Sequence, residues 1–345
     1  MFEQEELEKN IANFLEIELR DSRTVLKSIE SQHGILIERA QKIWSFSHLT
    51  FQEYFATKWF INHSDYSNLI IHIINKNWQE IFLLVLDQIQ IADDLLLLMK
   101  DKTDYLVCTQ TKLQDLLTWA TEKSLIFSEN KIKNKARLFY VSLYIDFYID
   151  TDVNNISYFE LDDLEDKSSS YIYLAHELNL RHDSIINSIL NDTLTLLKFF
   201  NENIDFYLPF DEVDNIALSI EQDFDSILDF KVTPRVKGKL QKLKKQLPSS
   251  NDTWERHYEE WWKSQGGFWV IELREIMVKS FNMGHDWQFS KEESALLKQY
   301  YDANELIIQC LTNCSVVSSA VHQEIENTLF LPTAEIEKYK RDKLE

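Results

Sequence analysis

Five glycines and four prolines are few for 345 residues. Turn-rich β sandwiches and the glycine loops of nucleotide-binding sheets need more, so the scarcity points to helices joined by short polar turns. Cysteine is scarce too. Cys108, Cys310 and Cys314 make no disulfide framework, and a reducing cytoplasm is the expected setting. No run approaches the roughly 18 apolar residues of a membrane span. The acidic start, MFEQEELEKN, has no signal-peptide core. No membrane partner is expected. The Gly-x-x-x-x-Gly-Lys-[Ser/Thr] loop that surrounds a nucleotide phosphate is also missing. Gly238–Lys239 is followed by Leu240, and Thr233 stands where the first glycine belongs. The chain is therefore expected to be no enzyme, to hold no cofactor, and neither to bind nor to hydrolyse ATP.

What is present is acid and apolar residues. Apolar residues make up 44% of the chain, enough for a sizeable core, and the formal charge is −21. That charge is uneven. Residues 1–62 hold 10 acids and 7 bases, residues 63–230 hold 30 and 12, and residues 231–345 hold 17 of each. The shifts suggest three parts with those boundaries: a small N-terminal domain, an acidic helical region and a C-terminal helical domain. The acidic middle repels phosphate backbones, which disfavours nucleic acid as a partner.

The pattern along the chain is mainly α. Leu7, Ile11, Leu15 and Leu19 have helical spacing over residues 2–19, and a second helix fits Arg23 to Ser31. Gly34 breaks that pattern. ILIE (Ile35 to Glu38) and IWSF (Ile43 to Phe46) read as two strands of a hairpin, with Arg39 to Lys42 as the turn. Helix, helix, hairpin, helix is the order of a winged helix. From there Trp78, Ile81, Phe82, Val85, Leu86 and Ile89 mark a buried helical face, and similar segments continue to about Phe230 as a stacked array. Ala136 to Asp150 is apolar nearly all round and predicts a central helix. Residues 201–230 contain nine acids and no base, and Lys231 to Lys245 seven bases and no acid. Pro234, Gly238 and Pro248 to Asp252 punctuate this junction. The basic segment reads as a helix docking on the acidic stretch before it, with a nucleic-acid or lipid patch as the other reading.

Candidate chemistry is thin. Cys310 and Cys314, with His322 beyond, lack the spacing of a zinc site. They continue a stripe of Leu296, Tyr300, Ala303 and Ile307 that predicts a buried helix seam, so no metal is expected. GHDWQF (Gly284 to Phe289) offers a His-Asp pair without further partners. It reads as a turn: Gly284 ends one helix, Ser290 and Glu293 cap the next, and His285 and Asp286 tie the loop by hydrogen bonds. Trp254 to Trp269 reads as the local core of a small helical domain, with a protein-contact patch as the other reading.

FSHLTFQEYFATKWF (Phe46 to Phe60) remains. Thr50 and Glu53 match a capping box, Leu49 and Tyr54 a hydrophobic staple, and Phe51, Phe55 and Trp59 share one helical face. His48 precedes that helix. With the hairpin before it, this stretch resembles the end of the winged helix of NACHT-type STAND ATPases, whose pattern reads F-x-H-x-[ST]-[FL]-Q-E-[YF]-[FL]-A-A. Phe46, His48, Thr50, Phe51, Gln52, Glu53, Tyr54, Phe55 and Ala56 match, and Thr57 replaces the second alanine. NWQEIFLLVL (Asn77 to Leu86) is similar to the helix that follows in bacterial members. LKKQLPSSND, the stretch from Phe281 to Leu311, and IENTLFLP are similar to the C-terminal helical domain of cyanobacterial-type NACHT proteins. The resemblance implies a non-catalytic regulatory and sensor portion of a signalling or antiviral-defence ATPase. Its partners would be a NACHT ATPase domain, in the same or a neighbouring chain, and a protein trigger. It also implies a role for His48: in relatives this histidine faces the bound ADP phosphate and helps keep the ATPase closed. In this chain alone, a buried histidine bonded to a nearby carbonyl is the other reading. The chain itself lacks the ATPase, and is expected to be a fragment, a split-gene product or a remnant. A winged-helix DNA-binding regulator is the alternative function.

Overall fold

The computed structural model describes residues 1–149, 175–201, 210–253, 256–314 and 316–343. Asp150 and Trp254, which end or begin two of the segments above, and residues 202–209 of the acidic stretch lie outside that set. The chain divides into two compact units, Met1–Thr103 with Asp302–Ile325, and Asp104–Tyr301 with Glu326–Glu345. Among the described residues it is mainly α, as expected.

The first unit opens with β1 (Phe2–Glu3), α1 (Gln4–Leu15) and α2 (Leu19–Ser28), then one π turn at Ile29–His33. The first helix, expected over residues 2–19, ends at Leu15, and the second, expected over Arg23 to Ser31, begins at Leu19 and runs into the π turn. Glu16 takes a left-handed conformation at φ 54°, which stops α1 and lets the Ile17 amide turn back to the Ala12 carbonyl. The hairpin is β2 (Leu36–Ala40) and β3 (Ile43–Phe46), a tighter turn than expected, with a bulge between Glu38 and Ala40 and Lys42 at φ 65°. β1 adds a third antiparallel strand that was not expected. The order is β1-β3-β2, with Phe2 opposite Trp44 and Leu36 opposite Phe46. Trp44 and Leu26 are fully buried.

α3 (Leu49–His63), α4 (Tyr66–Ile70), α5 (Gln79–Gln88) and α6 (Asp93–Val107) follow. Ile81, Phe82, Val85, Leu86 and Ile89 are buried, as their spacing predicts, whereas Trp78, in the turn before the helix, is half-buried. The Ala92 amide bonds to the Val316 carbonyl, and Asp93 accepts from the Ser318 amide at 2.8 Å. Ala303, Ile307 and Cys310 are buried in the same unit, so Cys310 is a small apolar side chain on a seam; burial pushes its thiol up to about 12.

The second unit holds α7 (Thr111–Ser124), α8 (Asn130–Ile149), α9 (Arg181–Asn201), α10 (Phe210–Asp229), α11 (Pro234–Lys244), α12 (Arg256–Trp261), a π turn at Trp262–Gly266 and α13 (Gly267–Phe281). It also holds part of α14 (Lys291–Asn313) and α15 (Ser319–Thr328), and α16 (Thr333–Asp342). α8 is buried on every side from Phe139 to Ile145, the central helix expected. Pro234 begins α11 behind a Thr233 cap, and Gly238 lies inside that helix and does not punctuate it. Asn282, at φ 53°, ends α13 in place of Gly284, which follows at φ 74°. The rest of that turn is as predicted. His285 bonds Asn282 at 2.7 Å, Arg274 pairs with Asp286 at 2.6 Å, and Ser290 and Glu293 cap each other's amides at 3.1 and 2.8 Å. Tyr258, Trp262 and Trp269 are buried, which makes the tryptophan cluster a core.

Candidate functional site

The candidate site is the end of β3 and the start of α3. The expected capping box does not form. The Phe51 amide bonds to the His48 carbonyl at 3.2 Å, so His48 takes the N-cap position, at φ −132° and ψ 147°. Thr50 is already inside the helix, and no side chain caps it. Leu49 is exposed and is a helical residue, so it is not placed as the residue before a cap. The His48 ring is also exposed, 6.1 Å from the Phe51 ring, which corrects the buried, carbonyl-bonded alternative.

α3 buries Thr57 and Phe60, the latter edge-on to Trp78 at 6.0 Å. The Thr57 hydroxyl has no hydrogen-bond partner, so the alanine usual at this place would lose nothing polar. The other side is a stripe at intervals of four, three, four and three: His48, Gln52, Phe55, Trp59 and Asn62, all exposed. Phe55 and Trp59 are 44% and 46% accessible, unusual for large apolar side chains at adjacent turns. They are held in place. Phe55 stacks on Phe46 at 6.0 Å, Phe46 meets Phe2 edge-on at 5.8 Å, and Trp59 stacks on His63 at 4.6 Å, whose Nδ1 lies 2.7 Å from the Trp59 carbonyl.

Two of the three cations of α2 are occupied. Arg20 pairs with Glu18 at 3.0 Å, and Lys27 with Glu38 and Glu30 at 2.9 and 3.1 Å. Hydrogen bonds from Lys27 and from the Lys42 amide hold the Glu38 carboxyl below its usual range. Among the described residues no group of three His, Cys, Asp or Glu side chains could hold a metal, and no helix is long and apolar enough to cross a membrane.

A second polar cluster, in the other unit, had no sequence signal because its members are far apart in the chain. Asp183 accepts from Tyr140 and pairs with Lys123, both at 2.7 Å, beside a cavity of about 390 Å³. Burial alone would raise the Asp183 carboxyl; the bonds from His182, Lys123 and Tyr140 and the Lys123 charge together hold it low. The lysine and carboxylate satisfy each other.

Residues 4–60 match the family model for the winged helix-turn-helix domain C-terminal to NACHT, and residues 236–332 that for NACHT C-terminal helical domain 2. No curated protein and no solved structure matches the chain. Both matched domains are defined by their place after a NACHT domain, and they lie in the order the resemblance implied. The chain thus carries two domains of NACHT-associated C-terminal regions, a winged helix near its start and C-terminal helical domain 2 near its end.

Proposed function

We propose that this chain is the regulatory and sensor portion of a NACHT-type ATPase in signalling or antiviral defence, acting by protein contact and not by catalysis. The observation that carries the reading is the exposed stripe of α3. Large apolar side chains held rigidly on a solvent face form a docking surface. The NACHT ATPase domain, in the same protein or a neighbouring chain, is its occupant. His48, at the head of the stripe, then lies toward the nucleotide. An imidazole N–H donates to a phosphate oxygen, more strongly when protonated, and the first-turn amides of α3 add a positive helix end. Residues 1–62 serve this docking, and the helical parts, 63–230 and 231–345, carry the surface for a protein trigger.

Calorimetry between this chain and the NACHT ATPase domain tests the reading. Phe55→Ala and Trp59→Ala should each weaken binding about 30-fold, the scale of an interface hot spot. His48→Ala should leave docking intact and speed ADP release. Wild-type affinity in the Phe55/Trp59 double variant would end the proposal. The DNA-binding alternative has less support, because α2 spends Arg20 and Lys27 on carboxylates. Duplex binding lost on substituting Arg23 and Arg39 would favour it.

A further inference from the structure

The basic segment after residue 230 was expected to rest on the acidic helix before it. It does so in one ion pair among the described residues, Lys244 with Asp225. α11 buries Leu240 and Leu243 and turns Arg235, Lys239, Lys242 and Lys245 to solvent. None of these four forms an ion pair with a described residue, although the chain has 57 acids against 36 bases. Gly238 lies on the same exposed face with nothing within 4 Å of where a Cβ would stand. No turn or close contact requires glycine there, and a mid-helix glycine weakens a helix relative to alanine. Its effect is to bring the backbone close to whatever lies on that face.

The neighbouring helix supplies an apolar element. The Trp269 indole donates to the Leu243 carbonyl at 3.0 Å, which sets the first turn of α13 against the last turn of α11. The Glu275 carboxyl is held low by its bond from Lys279 and that lysine's charge, and also by Lys239. The two helices therefore lie side by side in opposite directions. α13 buries Trp269, Val270 and Leu273 and leaves Phe268 and Ile271 77% and 60% accessible, at the Lys242–Lys245 end of the pair. Glu272 and Glu275 share the outer side, and Glu275 is paired with Lys279.

We propose that the outer sides of α11 and α13 form a peripheral binding face for an anionic lipid bilayer. The four cations span roughly 15 Å at 1.5 Å per residue and lie over the headgroups. Phe268 and Ile271 enter the interface below them. A nucleic acid would use the cations but leave Ile271 without a role. The lack of a membrane span, from which no membrane partner was expected, does not bear on this, since peripheral binding inserts side chains and no helix. The proposal is independent of the α3 docking surface.

Vesicle flotation of the purified full chain is the test, with phosphatidylcholine alone and with phosphatidylcholine mixed with phosphatidylglycerol. Binding is expected only to the anionic vesicles, and it should weaken as salt rises. The triple variant Lys239→Gln, Lys242→Gln, Lys245→Gln should bind roughly 100-fold more weakly, at about fivefold per lysine near the surface. Phe268→Ser with Ile271→Ser should also reduce binding, with the melting temperature unchanged because both side chains are exposed. Binding to neither vesicle, equal binding to both, or anionic binding indifferent to both variants would overturn the proposal. Duplex DNA binding that depends on the lysines, without vesicle binding, would overturn it in favour of nucleic acid. None of these variants touches α3, so the outcome is separate from that of the docking test.

Discussion

Asp192 on α9 faces α10, where Ser219 donates to it and the Asp223 carboxylate stands near. Burial, opposed by the Ser219 bond and reinforced by the Asp223 charge, raises its carboxyl from 3.8 to about 6. The native state therefore holds this proton more tightly than the unfolded chain. Its protonated form favours folding, so stability falls as pH rises from about 4 to 6 and is flat above. Two pKa units correspond to about 3 kcal/mol at most of destabilisation at pH 7. Asp192→Asn keeps an oxygen for Ser219 and removes the charge. It is expected to stabilise the protein by about 1–3 kcal/mol at pH 7, allowing for relaxation of the site. A unit of this size gains about 2–4 °C in Tm per kcal/mol. At pH 5 about half of the gain should remain, because the native Asp192 is then largely protonated. Thermal and urea unfolding of both proteins at the two pH values measures this. A loss of stability at pH 7, or a gain of equal size at both pH values, would refute the reasoning.

Trp262→Ala should cost about 3–5 kcal/mol in urea unfolding, since the side chain is fully buried among Tyr258, Trp261 and Trp269, whereas half-buried Trp261→Ala should cost less. Thr57→Ala should raise stability by about 0.5–2 kcal/mol, because it removes a buried hydroxyl without a partner from a helix; a measured loss would mean the hydroxyl is satisfied. Ser290→Ala and Glu293→Ala should each destabilise by about 0.5–2 kcal/mol, and the double variant by less than the sum, because the two side chains form one reciprocal cap.

The parts of this fold legible in the sequence are those set by local chemistry. The spacing of Ile81, Phe82, Val85 and Leu86 found a buried face because burial follows helix period directly. Ser290 and Glu293 announced their cap because both partners lie within one turn. The same signature at Thr50 and Glu53 misled, since the hairpin delivers the chain so that His48 is the last extended residue. The break at Glu16 was hidden because a non-glycine residue took the left-handed turn, and β1 is too short to show alternation. At the candidate site the motif residues were readable and their exposure was not. Phe55 and Trp59 four residues apart look the same whether they face a core or solvent, and only the packing of Thr57 and Phe60 decides which. The Asp192–Asp223 and Lys123–Asp183 neighbourhoods join different helices and have no local trace.

The two-residue strand β1 has a mechanical consequence. It passes into α1 without a spacer, and the Gln4 amide bonds to the Lys42 carbonyl at 2.9 Å. β1 lies against β3, and β3 ends at Phe46, two residues before His48. A tensile force applied at Met1 is therefore borne by a few backbone hydrogen bonds on the one strand that leads to the histidine. Peeling β1 away would uncover the edge of β3 and remove Phe2 from the Phe46 ring on which Phe55 rests. A pull at Met1 that freed β1 would therefore loosen one support of the α3 stripe.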